Sequence, residues 1–197
     1  MKECFNAEFA RNIALECDTK ITGGYRGRAV YIPYRSVDAL TIDAENSAIL
    51  KAVMLKEGAK CVAINNASAS QPMSGSTTTG SNENGYVTYS KTVNITIPLR
   101  GADVSKDTIE PLVNDPEGGL LIVEKNDKRG LGSFEVFGLK TAAKVDPTTI
   151  SRDEYANGGA WSMSIGCTEH DAECSFFATD YETTKAAFDE LYYVKSF

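Results

Sequence analysis

The side chains best suited to chemistry crowd into one short stretch, Cys167-Thr168-Glu169-His170-Asp171-Ala172-Glu173-Cys174. His170 is the only histidine in the chain. Two thiolates and an imidazole would offer three zinc ligands, with Glu169 or Asp171 as a fourth. The spacing C-x2-H-x3-C is not a recurrent zinc pattern, however. The plainer reading is an exposed polar hairpin loop whose flanking cysteines end two strands. A Cys167–Cys174 disulfide would require an oxidising compartment. The expectation is no metal and no cofactor, with Cys167, His170 and Cys174 as the candidate ligands. Asp171 and Glu173 read as a solvated turn rather than an acid–base couple.

Other motifs carry less. Gly23-Gly24-Tyr25-Arg26-Gly27 is glycine-rich but precedes a strand. Phosphate-cradling loops follow a strand and open a helix. No Walker sequence, zincin H-E-x-x-H or G-x-S-x-G elbow occurs. With a single histidine, any serine or cysteine triad would depend on His170. Lys125, Lys128 and Arg129 are balanced by Glu124 and Asp127, which suits a solvated hairpin better than a nucleic-acid contact. Tyr31, Tyr34 and Phe134 read as core or interface. Catalytic site residues are therefore not assigned, and the chain is not expected to be an enzyme.

Composition sets the frame for the elements. The chain has 197 residues, 42% of them hydrophobic, which suits one domain with a real core. Its net charge is −7, from 27 acidic and 20 basic residues. That balance disfavours tight wrapping by nucleic acid. No apolar run approaches the roughly 18 residues that would span a bilayer, so no membrane partner is expected. Met1-Lys2-Glu3-Cys4-Phe5 lacks the apolar core of a signal peptide, which predicts a cytoplasmic site of synthesis. Five scattered cysteines suit free thiols.

Residues 1–20 read as an N-terminal arm or short helix, with Phe5, Phe9 and Ile13 four apart. Residues 21–197 read as a single β-rich domain. Its first strand is expected over 28–35, with Pro33 placing that point at an edge or end. A short strand begins at Leu40, 48–55 is ambiguous between strand and helix, and 60–64 resumes strand. Residues 67–85 are almost all small and polar, which predicts a mobile loop. Strict alternation over 86–99 predicts a strand whose core face is Val87, Tyr89, Lys91, Val93, Ile95 and Ile97, apolar except at Lys91. Its expected packing partners are Leu121, Val123, Val136 and Trp161. A helix over 105–114 would carry Asp107 and Glu110 at capping-box spacing and Pro111 in its first turn. Strands follow at 120–125, buried on both faces, and at 133–139. The strand over 160–167 aligns Trp161, Met163, Ile165 and Cys167, and 173–178 is expected to pair with it. Thr179 and Glu182 would cap a last helix over 180–192. The fold class is all-β or β-rich: a β-sandwich or partly closed barrel with one packed short helix and a C-terminal helix.

Several patterns occur in a fixed order: Gly23-Gly24 then Val30-Tyr31-Ile32-Pro33, KTVNITIPL from Lys91, the short helix, GGLLIVEKND from Gly118, FEVFGLKTAAKVD from Phe134, and GGAWSMSIGCTE from Gly158. Together they resemble the bacteriophage tail tube proteins, in the divergent form of phages and prophages of Bacteroides-like hosts. The resemblance runs from about residue 21 to residue 177. It implies a virion structural protein, assembled in the bacterial cytoplasm, whose copies close into six-fold rings that stack into a tube. Its partners would be itself and other tail or neck proteins. DNA would pass through the tube without specific binding. The alternatives are a neck or tail-completion ring of similar fold, and a non-viral β-sandwich binding module.

Overall fold

The computed structural model describes residues 24–66, 73–81, 85–97, 101–126, 130–152 and 160–196, leaving the side chain of Val104 aside. The expected N-terminal arm lies outside them. Eleven strands are described: β1 (Tyr25–Pro33), β2 (Val37–Ile42), β3 (Ile49–Leu55), β4 (Val62–Asn65), β5 (Ser74–Ser81), β6 (Val87–Ile97), β7 (Gly119–Lys125), β8 (Phe134–Phe137), β9 (Lys144–Ser151), β10 (Trp161–Glu169) and β11 (Cys174–Phe176). They form a seven-stranded sheet, β2-β3-β11-β8-β7-β1-β4, and a four-stranded sheet, β5-β6-β10-β9. Neither sheet closes on itself, so the fold is a sandwich rather than a barrel. The pair β3–β11 is parallel and the other pairs are antiparallel.

The layers follow from β7. Gly119 through Glu124 are all buried, as a continuous apolar run predicts. Leu121 and Val123 face the four-stranded sheet, in one cluster with Val93, Ile95, Met163 and Ile165. Leu120 and Ile122 face the other way, with Val30, Ile32, Phe134 and the helical residues Phe188 and Leu191. Burying each such side chain contributes about 1.5–3 kcal/mol. The result is three layers: small sheet, large sheet, C-terminal helix.

The strand β6 has the expected parity. Val93, Ile95 and Ile97 are buried, and Lys91 is buried with them. Val87 is 52% exposed, at the end of the strand beyond the core. Val136 does not meet β6. The pairing Leu121↔Phe137 and Ile122↔Val136 gives Phe137 to the sandwich core and turns Val136 toward the helix. A strand alternates faces at every residue, so an error of one position changes layers.

Other expectations are corrected. Within the stretch read as a loop, Ser74–Ser81 forms β5 and pairs with β6 from Ser74↔Asn94 to Ser81↔Val87. Small polar residues cannot build a core, but a ladder of backbone hydrogen bonds needs none, and β-branched threonines suit it. Met73, 3% exposed, anchors the start of this strand in the core. The segment β11 pairs with β8 and β3, not with β10. Cys174 and Phe176 are buried against the helix side of the large sheet, which draws the chain across from one sheet to the other. The unforeseen strand β9 lies at a sheet edge, where Pro147 is tolerated. Pro33 ends β1. The Tyr34 N–H donates to the carbonyl of Gly118, the residue before β7, so the missing N–H of Pro33 faces the β4 side, where pairing stops at Tyr31.

Both helical segments begin elsewhere than their capping patterns suggest. The first comprises α1 (Ala102–Val104), a π-helical stretch (Ser105–Ile109) and α2 (Glu110–Val113). Pro111 is the second residue of α2, yet it lies deep in the continuous helical segment. Proline lacks the N–H and crowds the carbonyl four residues back, and the widened turn before it relieves this. Ile109 and Leu112 seat the segment in the sandwich core. The last helix, α3 (Tyr181–Asp189), continues into a π-helical turn (Glu190–Val194). Its cap is Asp180, whose Oδ1 accepts from the Thr183 N–H at 2.8 Å, rather than Thr179.

Replacing Phe188 with Ala should cost about 3–5 kcal/mol in chemical denaturation, whereas Val87→Ala should stay within about 0.5 kcal/mol. Ile95→Asp buries an unpaired charge and should abolish the cooperative transition. Similar losses at Phe188 and Val87 would contradict the layer assignment.

Candidate functional site

Among the described residues, one ion pair has both side chains fully buried. Lys91 on β6 and Glu169 on β10 both have fully buried side chains, and Nζ contacts Oε2. The register sets Lys91 opposite Cys167 and Glu169 opposite Tyr89, which makes the pair diagonal neighbours on one face. Cys174 Sγ stands 3.6 Å from Lys91 Nζ and donates toward Glu169 Oε2 at 3.5 Å. The backbone N–H of Lys140 donates to Glu169 Oε1 at 2.9 Å. Two charges removed from water cost several kcal/mol each, and only close contact with further hydrogen bonds offsets this. Burial pushes the Lys91 pKa down, but the Glu169 hydrogen bond and charge outweigh it, so the net shift is upward. Burial, then the charge of Glu169, raises the Cys174 thiol to about 12 and the Cys167 thiol to about 11. Both are held as thiols rather than the thiolates that bind zinc or act as nucleophiles.

Of the residues singled out by type, Cys167 and Cys174 do gather around this pair. His170 does not. It is exposed, with Nδ1 3.4 Å from the Val87 carbonyl. Among the described residues no group of three or more His, Cys, Asp or Glu is placed to hold a metal, and Cys61, Cys167 and Cys174 are free. Glu173 pairs with Lys125 at 2.8 Å on the exposed rim. The glycine-rich turn has a structural role: Gly27 has φ 84°, and a Cβ there would meet the Asn66 carbonyl at 2.8 Å. Tyr31 donates to Asp115 at 3.3 Å, Tyr34 donates to the Gly138 carbonyl, and Phe134 is fully buried. Lys128 and Arg129 lie outside the described residues.

By sequence alone Glu169 stands only as a fourth zinc ligand and is not paired with Lys91, although a signal for the pair exists. Each occupies the core-facing parity of an otherwise apolar alternation, Lys91 among Val93, Ile95 and Ile97, and Glu169 after Met163, Ile165 and Cys167. Opposite charges at matching parity on two strands are what a buried pair requires.

A second feature is the edge formed by β5. All eight of its residues are exposed, and β5 ends the four-stranded sheet. The strand reads Ser-Gly-Ser-Thr-Thr-Thr-Gly-Ser, with no charge and no proline. Natural edges are usually blunted by lysine, proline, bulges or brevity. The opposite edge, β9, carries Lys144, Asp146 and Pro147. In the large sheet, β4 is four residues long and β2 pairs with irregular register. Among the described residues, the edge at β5 has no such device. No described helix is long and apolar enough to cross a membrane.

Lys91→Met leaves Glu169 buried without its partner and should cost about 3–5 kcal/mol, while the double variant Lys91→Met/Glu169→Met should be more stable than the single one. Denaturation curves that rank them the other way would show that the pair is not buried. In native protein at about pH 8, Cys61 and Cys174 should resist iodoacetamide and react only after unfolding. Prompt native labelling of Cys174 would contradict the burial of this cluster.

No protein-family model matches this chain, and no curated protein and no solved structure matches it either.

Proposed function

We propose that this chain is a virion structural protein, a self-assembling subunit whose rings stack into a phage tail tube. The observation that carries the reading is the β5 edge: eight exposed, uncharged residues at the end of a sheet. A strand from a second copy can extend the sheet there through backbone hydrogen bonds. Where the added strand is not β5 itself, the contact joins different surfaces of the two copies. Repeated contacts of this kind generate a ring where the rotation closes, and stacked rings generate a tube. The order of sequence patterns shared with tail tube proteins supports the same reading. Most of those patterns fall on β1, β6, β7, β8, β9 and β10, the strands that build the sandwich. The net charge of −7 supports it too, because an acidic wall repels a duplex and lets it pass. The reading assigns no catalytic step to the chain.

Purified protein should form stacked rings or tubes in negative-stain microscopy. The variant Ser76→Lys/Thr78→Lys guards the β5 edge with charge and should abolish assembly, while monomer stability changes by no more than about 0.5 kcal/mol. Isolated rings would favour a neck or completion ring. Protein that stays monomeric, or a variant that forms tubes as readily as the parent, would overturn the proposal.

A further inference from the structure

We propose that Lys91 and Glu169 condense into an intramolecular isopeptide bond that ties β6 to β10. The two side chains are in contact and fully buried, on adjacent strands of the same sheet. Among the described residues, the other lysine–carboxylate pairs lack this combination. Lys125–Glu173, Lys185–Asp189 and Lys51–Asp43 are all reached by water. Water stabilises the separated charges and competes with attack. Within a dry core neither effect operates.

The groups around the pair match what amide formation needs. Starting from the ammonium and the carboxylate, one proton moves along the hydrogen bond from Nζ to Oε2. The neutral amine then attacks Cδ, forming the C–N bond. Charge developing on Oε1 is met by the Lys140 N–H, already 2.9 Å away. A second proton passes from nitrogen to Oε2, and the C–O bond breaks. Oε2 leaves as water, with the Cys174 thiol, 3.5 Å away, donating toward it. The three protons of the ammonium are accounted for: two leave in water and one stays on the amide. No oxidant or activated donor is needed. The upward shift of the Lys91 pKa makes the neutral amine a minor species, so the reaction is slow. Enforced contact works the other way, because well-oriented intramolecular partners reach effective molarities of about 10⁵–10⁸ M. Condensation also removes two buried charges whose desolvation opposes folding.

The test is mass spectrometry of the full chain after prolonged incubation in the folded state. The intact mass, measured under denaturing conditions, should fall by one water, about 18 Da. Protease digestion should yield a branched peptide joining the Lys91 and Glu169 segments, with no cleavage after Lys91. Lys91→Arg and Glu169→Ala should show the full sequence mass. Cys174→Ala, which keeps both reacting groups, should slow the linkage. Recovery of Lys91 and Glu169 in separate peptides from the incubated parent chain, with cleavage after Lys91, would overturn the proposal and leave an ion pair only.

Discussion

A strand that is apolar on both faces must be covered on both, and β7 imposes that demand on the whole molecule. Leu121 and Val123 call for the four-stranded sheet, while Leu120 and Ile122 call for the C-terminal helix. At its far end β7 carries Glu124, 1% exposed, which would be costly alone. Arg26 and Arg28 on β1 meet it at 3.0 and 2.6 Å. Arg28 also reaches Asp189 at 3.1 Å and lies over the rings of Phe188 and Tyr192. One guanidinium thus satisfies the buried carboxylate and fastens the helix to the sheet. The hydrogen bond to Glu124 raises the Arg28 pKa although burial opposes it, so the tie keeps its charge.

The small sheet lives under a different constraint. It is covered by the large sheet on one face, and its outer edge at β5 is sustained by backbone pairing and by Met73 at its base. Its middle is specified by charge: β6 and β10 are aligned along nine residue pairs, with Lys91 and Glu169 locked on the inner face. A slip by one residue would carry both charges out of their pocket and every apolar neighbour out of the core. A firmly registered inner pair and an unguarded outer strand suit a subunit that holds its own shape and offers its edge to another copy.

Much of this was legible because burial writes itself into alternation. The doubly apolar run of β7, the parity of β6 and the shared face of Trp161, Met163 and Ile165 all follow from a period of two. What escaped had no such signature. The strand β5 buries none of its own residues, so its composition resembles a loop. The edge strand β9 contains Pro147 and buries only Val145. The partners of β11 are set by which sheet covers Cys174 and Phe176, a tertiary choice that a three-residue strand cannot encode. For the chemistry, residue type pointed to Cys167, His170 and Cys174. Position pointed to Lys91 and Glu169, and only the pairing of β6 with β10 joins them.

The central claim is that β5 is the edge at which a second copy joins the sheet. Amide hydrogen exchange, compared between assembled and dissociated protein, tests it most directly. An edge strand has half of its backbone groups turned away from its one partner, and these are free to exchange in the monomer. Assembly should slow exchange across residues 74–81 while leaving β7, already buried, unchanged. Exchange across 74–81 that is equally fast in both states, or the absence of any assembled state, would contradict the account.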